Sequence, residues 1–186
     1  MPNPLLIRKL YSPPRRFTFT ATTTGATETV TVAKLTTSYA QRIDWGDRLS
    51  DILPANSEAA ITHVYASAGT YNVTVRDARA ITQLQMNDAK LGGLNTAELR
   101  YSKLTFFYVT LITGSTVRSS DMADWRPTLW RLSYMPTGTY AIDSSDMADW
   151  RPTDWWLYSM PAGTYAIDSA DMVDWRPTSK IVKGSK

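Results

Sequence analysis

The sequence predicts a mainly β protein in two parts, a small antiparallel β-sandwich followed by a short solenoid with 25-residue coils. In the first half, apolar residues alternate with polar, threonine-rich ones over short segments, which is typical of strands with one buried face. In the second half, one octapeptide occurs three times at a fixed spacing of 25 residues. Such a period is typical of a chain whose successive coils stack on one another.

The composition fits a folded protein and excludes several kinds of site. Hydrophobic residues make up 43% of the 186-residue chain, which is enough for a packed core. The chain has no cysteine, so disulfides, thiolate metal sites and thiol nucleophiles are excluded. His63 is the only histidine, and no G-x-S-x-G motif accompanies it. We therefore expect no enzymatic activity, no cofactor and no bound metal.

Charge and hydropathy argue against nucleic acid and membrane partners. The 20 basic and 17 acidic side chains give a net charge of +3 and are mixed along the chain, without a basic stripe. No apolar run is long enough to span a bilayer, and residues 1–10 lack the pattern of a secretory signal. We expect neither a nucleic-acid partner nor a membrane span.

Residues 17–79 contain the predicted sandwich, which follows an N-terminal arm at residues 1–16. The arm ends in Ser-Pro-Pro-Arg-Arg, which favours an extended or turn-rich backbone, and it could dock on a neighbour or remain a loose terminus. The predicted strands are residues 17–21, 28–32, 41–45, 60–65 and 70–75. Their polar outer faces indicate a small antiparallel sandwich.

Three ordered motifs in this half resemble those of the PKD domain, an immunoglobulin-like (Ig-like) β-sandwich. Trp45-Gly46-Asp47 is similar to the family's Trp-Gly-Asp-Gly turn, with Arg48 in place of the last glycine. His63-Val64-Tyr65 is similar to a His-x-Tyr strand, and residues 69–75 read Gly-Thr-Tyr-Asn-Val-Thr-Val, as in the family's Gly-Thr-Tyr-x-Val-x-Val strand. The resemblance implies a spacer or adhesive module and implies no catalysis.

Each of three polar residues near this turn could have a functional or a structural role. His63 could act as a general base, but a histidine on a strand is more often a hydrogen-bonded structural residue. Asp44 and Asp47 could bind a cation, but carboxylates that flank a Trp-Gly turn are more simply turn-capping acceptors. We therefore predict structural roles for all three.

The repeated octapeptide defines the second part, residues 80–186. It reads Asp-Met-Ala-Asp-Trp-Arg-Pro-Thr from Asp121 and Asp146, and recurs from Asp171 with Val173 replacing alanine. Each coil is predicted to contain a strand, a turn with glycine and a short helical segment that Ser-Asp or Ala-Asp opens and proline ends. The predicted strand starts are Ile81, Leu104, Leu129, Asp154 and Ser179.

This arrangement resembles an irregular leucine-rich repeat of the kind found in bacterial and phage surface proteins. Leu132, Met135, Gly138, Ile142 and Met147 take positions like those of the family's leucines, mid-coil glycine and closing helix. The family's asparagine ladder is absent, and Trp, Met and Tyr replace many leucines. The resemblance implies solenoid architecture and no particular activity.

Side chains that repeat at equal depth are predicted to fill the interior of the coils. These are Trp125, Trp150, Trp175, Met122, Met147 and Met172. Ion pairs are expected between two further ladders, Asp124, Asp149 and Asp174 with Arg126, Arg151 and Arg176. A calcium-binding carboxylate ladder is the alternative, but the glycine-aspartate density of calcium-binding β-rolls is lacking.

Alternation along each strand predicts an aromatic outer face. If Leu129, Leu132 and Tyr134 point inward, the residues between them point outward. The predicted binding face is then Phe106, Tyr108, Trp130, Arg131, Trp155, Trp156 and Tyr158. Such a face could contact a protein or stack on sugar rings, and protein contact is favoured because Trp and Tyr are enriched in interfaces.

These expectations combine into one function and one alternative. We predict a non-catalytic structural or adhesive component of an extracellular surface assembly, such as a decoration or fibre-type protein on a phage virion. The expected partners are other protein subunits, in a homo-oligomer or a capsid or surface assembly. The alternative is a carbohydrate-binding module that uses the aromatic solenoid face to bind a glycan.

Overall fold

The computed structural model of the protein describes residues 15–168, 170–172 and 179–183, and it is mainly β with several sheets. Within those ranges, no helix has the length and apolar character that a membrane crossing requires. The expected N-terminal arm lies almost wholly outside the described residues. The short helical elements are 3-10 turns at Ala78–Ala80, Ser119–Asp121, Ser144–Met147 and Ala170–Met172, and an α-helix at Thr96–Leu99.

The first half forms antiparallel sheets. Its strands are β1 Phe17–Thr23, β2 Glu28–Val32, β3 Lys34–Thr37, β4 Gln41–Asp44, β5 Ser50–Leu53, β6 Ile61–Tyr65 and β7 Gly69–Val75. The five predicted strands are confirmed as β1, β2, β4, β6 and β7, whereas β3 and β5 were not predicted. One sheet has the order β5-β4-β7-β1 with the two-residue strand β9 (Leu91–Gly92) at its edge, and β2 pairs with β6.

The second half forms parallel sheets. Its remaining strands are β8 Ile81–Met86, β10 Phe106–Thr110, β11 Ser115–Arg118, β12 Leu129–Ser133, β13 Gly138–Asp143, β14 Asp154–Tyr158, β15 Thr164–Ala166 and β16 Ser179–Lys183. A six-stranded sheet has the order β16-β14-β12-β10-β8-β3, parallel except for β3, and β11-β13-β15 form a second parallel sheet. We call each successive segment that supplies one strand to the six-stranded sheet a repeat unit.

The spacing of the repeat units differs at one place from the predicted register. Leu129 pairs with Phe106, an offset of 23 residues, where the sequence predicted a partner at Leu104 and an offset of 25. The offset from Leu129 to Asp154 and from Asp154 to Ser179 is 25, as predicted. The difference arises because β11 has four residues and β13 has six, so the unit that begins at Phe106 is shorter.

Indole rings fill the interior of the repeat units. Trp125 and Trp150 are fully buried, as are Met122 and Met147, which confirms the predicted core ladders over the described residues. Trp175 and the side chain of Met172 lie outside them. Phe107, Trp130 and Trp155 pair in register on neighbouring strands, and the last two rings stack at 5.3 Å.

A buried hydroxyl joins each repeat unit to the next. The Thr96 hydroxyl donates to an Asp121 carboxylate oxygen at 3.0 Å. In the following units Ser119 donates to Asp146 at 2.5 Å and Ser144 to Asp171 at 2.7 Å. We call these three pairs the hydroxyl–carboxylate ladder.

The same hydroxyls also accept backbone N–H groups. Ser119 Oγ accepts the N–H of Asp143 at 2.9 Å, and Ser144 Oγ accepts that of Asp168 at 2.8 Å. The side chains of Asp121 and Asp146 therefore bind a neighbouring unit. The sequence predicted that serine or aspartate of the Ser-Asp pair would accept the first N–H groups of each helical turn, and this is wrong for both turns. In the second of these turns the cap is Asp143, which accepts the N–H of Ser145.

The two halves share sheets and a core. β3 pairs with β8 antiparallel, and β9 pairs with β1, so hydrogen bonds cross the predicted boundary near residue 80. Buried residues from Phe17 to Met160 form one continuous hydrophobic cluster. The sheets of the first half therefore cover the starting end of the stacked units, and the division at residues 79 and 80 stays a prediction.

Replacing Ser119 with alanine tests the hydroxyl–carboxylate ladder. Ser119 is 1% exposed, so Ser119→Ala leaves the Asp143 N–H and the Asp146 carboxylate without a buried partner. We expect the free energy of unfolding to fall by about 1–3 kcal/mol, measured by chemical denaturation. The matched control is Ser120→Ala, an exposed neighbour, which should change it little. Equal effects of the two substitutions would contradict a stabilising role for the ladder.

Candidate functional site

The outer surface of the six-stranded sheet carries the candidate site. In-register pairing places Phe106 beside Leu129 and places Arg131 between Tyr108 and Trp156, which lie on the two strands that flank β12. These side chains are partly exposed and alternate with fully buried ones such as Phe107 and Leu132. We call the outer set the aromatic–arginine face, and its members are Phe106, Tyr108, Leu129, Arg131, Trp156 and Tyr158.

Two residues of the predicted face point the other way. Trp130 and Trp155 are fully buried in the stack of rings behind the sheet, so their predicted outward orientation is wrong. Leu129, expected inside, is partly exposed, and Tyr134 is 53% exposed because it lies beyond the end of β12. The physical reason is that burying an indole removes more apolar area from water than burying a leucine. The indole therefore decides which alternate side chains of the strand face the core.

Arg131 is the centre of the aromatic–arginine face. Its guanidinium carbon lies 4.6 Å from the centroid of the Trp156 ring and 5.8 Å from that of Tyr108. Its Nε donates to Asp154 Oδ2 at 3.0 Å, and Nη2 bonds the same oxygen. The planar guanidinium is therefore held between two rings on a rigid sheet.

The margins of this face also pair aromatic and charged groups. Lys34 Nζ lies 5.0 Å from the centroid of the Phe106 ring and 3.5 Å from Glu58 Oε2. At the other margin, the rings of Tyr134 and Tyr158 meet edge to face at 5.1 Å. A hydrogen bond with Tyr158 raises the pKa of the Tyr134 hydroxyl. The face thus offers a contact area with both apolar and cationic groups, carried by paired strands.

His63 occupies a packed polar cluster on the first half of the chain. Its ring stacks on Trp45 at 4.7 Å, and its Nε2 lies 2.7 Å from Asp47 Oδ2. The Tyr65 hydroxyl donates to the Trp45 carbonyl at 2.9 Å. With 9% exposure, His63 is held by stacking and a hydrogen bond, as expected of a structural histidine.

The two aspartates of the turn cap backbone N–H groups, as predicted. Asp44 Oδ1 accepts the N–H of Gly46 at 3.1 Å, and Asp47 Oδ1 accepts that of Leu49 at 3.0 Å. Burial alone would raise the pKa of the Asp47 carboxyl, but hydrogen bonds from His63 and Leu49 outweigh it and leave the pKa below its ordinary value. Over the described residues, no three His, Asp or Glu side chains cluster as metal ligands would.

Backbone geometry makes this turn sensitive to residue type. Gly46 has a φ of 82°, and a Cβ there would lie 2.7 Å from the Asn72 carbonyl oxygen, so glycine is required. Arg48 has a φ of 77° with an exposed side chain. A non-glycine residue in this left-handed region carries strain of about 1 kcal/mol.

The predicted ion pairs beside the octapeptides are present in part. Arg126 Nη2 lies 3.7 Å from Asp149 Oδ2 of the next unit, and both side chains are more than half exposed. Such a pair contributes little stability. Asp174 and Arg176 lie outside the described residues.

Comparisons of the chain with protein-family models, with curated proteins and with solved structures give no match. The PKD-like and leucine-rich-repeat-like resemblances therefore stay predictions from the sequence.

Arg48→Gly is expected to stabilise the protein. Glycine removes the strain at positive φ, so the free energy of unfolding should rise by about 1 kcal/mol in chemical denaturation. Arg48→Ala is the matched control, because alanine removes the same side chain and keeps the strain. If alanine stabilised the protein as much as glycine, the gain would come from the lost charge and the strain argument would be wrong.

Asp47→Asn should destabilise the protein in a pH-dependent way. Since the folded pKa of Asp47 lies below the unfolded value of about 3.9, its contribution is present above that pH and is lost as pH falls through the folded pKa. We expect the stability difference between the wild type and Asp47→Asn to shrink below about pH 4. Asp124→Asn, at an exposed carboxylate, is the control. A difference that stays constant down to about pH 2 would contradict the assignment.

Proposed function

We propose that the protein is a non-catalytic structural or adhesive component of an extracellular surface assembly, of the decoration or fibre type found on phage virions. In this proposal the first half is a PKD-like, Ig-like sandwich and the second half a leucine-rich-repeat-like solenoid. The aromatic–arginine face binds another protein subunit, in the first place a second copy of this chain.

One observation carries the proposal. Three neighbouring parallel strands present their rings and Arg131 in register on the outer side of the sheet. Aromatic residues and arginine are enriched at the centres of protein interfaces, and their mounting on strands reduces the entropy lost on binding. His63 stacks on Trp45 and lies 2.7 Å from Asp47 Oδ2, which favours a structural role for this histidine.

The position of Arg131 favours a protein partner over a glycan. A sugar ring stacks on an open aromatic face, and the guanidinium already lies over the Trp156 ring at 4.6 Å. A protein surface can instead use the ring edges, the Arg131 donors and the apolar side chain of Leu129 together. The glycan-binding module is the second candidate, since Tyr108 and Trp156 are partly exposed.

Sedimentation velocity of the purified chain tests the proposal. We expect a concentration-dependent multimer that Tyr108→Ala and Arg131→Ala each weaken at least tenfold, because central interface residues carry most of the binding free energy. Tyr101→Ala is the matched control: Tyr101 is 44% exposed and lies outside the face.

Two results would contradict the proposal. One is a chain that is monomeric at every concentration and binds glycans on an array in a way that Tyr108→Ala abolishes, which would support the carbohydrate-binding module. The other is a multimer that Tyr108→Ala and Arg131→Ala leave as stable as Tyr101→Ala does.

A further inference from the structure

We propose that the first half of the chain carries a second binding site, a groove for a carboxylated sugar formed by Arg16, Arg42, Arg76 and Tyr39. The groove lies on the sheet β5-β4-β7-β1, far along the chain from the aromatic–arginine face. It uses none of the residues on which the proposed function depends.

The strand pairing brings the arginines together. Ile43 and Phe17 both pair with Val75, and all three side chains are fully buried. The residues next to them therefore point to the outer side of the sheet. There, Arg76 follows β7, and its N–H donates to the Arg42 carbonyl at 3.1 Å, so these two arginines are direct cross-strand neighbours.

The positive charges of these arginines repel one another. Like charges on directly opposed residues of neighbouring strands destabilise a sheet. None of the three arginines forms an ion pair within the described part of the chain, and all three are exposed. Two carboxylates line the groove: Asp44, which accepts the N–H of Gly46, and Asp77, which forms an ion pair with Arg79. A bound oxyanion would relieve the repulsion, and guanidinium groups bind carboxylates in a two-pronged geometry.

The shape of the groove suits a ligand with a ring as well as a charge. Two adjoining clefts of about 390 and 310 Å³ share Arg42 and Arg76 in their walls, and Tyr39 lines the larger one. These volumes lie at the small end of the range for small-molecule sites. Tyr39 is 48% exposed, and its hydroxyl donates to Asp77 Oδ2 at 2.7 Å, which fixes the ring beside the two arginines.

The chemistry of the lining then selects the ligand class. An exposed, fixed aromatic ring provides a surface for the apolar face of a pyranose, and the adjacent guanidinium groups provide the site for its carboxylate. The Asp77 carboxylate already accepts hydrogen bonds from the Tyr39 hydroxyl and from Nε and Nη2 of Arg79, so it does not pair with the arginines of the groove. A hexose with a carboxylate on its ring, repeated along an acidic polysaccharide, meets both requirements.

Titration calorimetry with an oligogalacturonate tests the inference, and its fully methyl-esterified form serves as the uncharged ligand control. We expect saturable binding of the acid form that the double variant Arg42→Gln/Arg76→Gln weakens at least tenfold and that weakens as NaCl rises from about 50 to 200 mM. Tyr39→Ala should weaken it at least threefold, and inorganic phosphate should bind more weakly than the oligosaccharide.

Control variants of the protein distinguish a specific site from general electrostatic attraction between the protein and the acidic oligosaccharide. Arg118→Gln removes an exposed positive charge elsewhere and should leave the affinity unchanged, and circular dichroism of each variant confirms folding. The inference would be overturned by absence of oligogalacturonate binding, by equal binding of the methyl ester, or by affinity that survives Arg42→Gln/Arg76→Gln in a folded protein. Phosphate that binds as tightly as the oligosaccharide would overturn the sugar assignment. Variants of the aromatic–arginine face should not change oligogalacturonate binding. A failure of the inference about the groove is therefore distinct from a failure of the proposed function.

Discussion

The stacking of the repeat units depends on buried hydroxyls that bind carboxylates of the neighbouring unit, and the first of these carboxylates, Asp121, is itself buried. Asp121 is 2% exposed, and its two oxygens bind the Thr96 hydroxyl and the Arg100 guanidinium. A buried carboxylate without such partners costs several kcal/mol. A shift of one unit against the next would remove these hydrogen bonds, so the hydroxyl–carboxylate ladder stabilises one register and destabilises the alternatives.

The register of the repeat units positions the side chains on both sides of the six-stranded sheet. Behind it, Trp130 stacks on Trp155 at 5.3 Å and meets the Phe107 ring at 6.2 Å. In front of it, the same register puts Arg131 between Tyr108 and Trp156. The aromatic–arginine face is therefore a consequence of how the units stack. Its rigidity comes from the core and from hydrogen bonds within the chain.

The sequence predicted the strands and the repeated core well, because alternation and a fixed period are local signals. It failed where both faces of a strand are apolar: in Leu129-Trp130-Arg131-Leu132, alternation does not decide whether Leu129 or Trp130 is buried. It also missed Ser119 with Asp146, whose serine and aspartate belong to different units. The arginine groove was missed because its members lie on separate strands, and only the pairing of β4 and β7 brings Arg42 beside Arg76.

Insertion of a second copy of residues 129–153 after residue 153 tests most directly whether the units stack interchangeably. If they do, the longer chain should unfold in one transition with a midpoint no lower than that of the parent and a larger denaturant dependence. Its longest dimension in small-angle scattering should grow by about 4.8 Å, one strand spacing. A lower midpoint, or an inserted unit that proteases remove while the rest stays folded, would contradict the account.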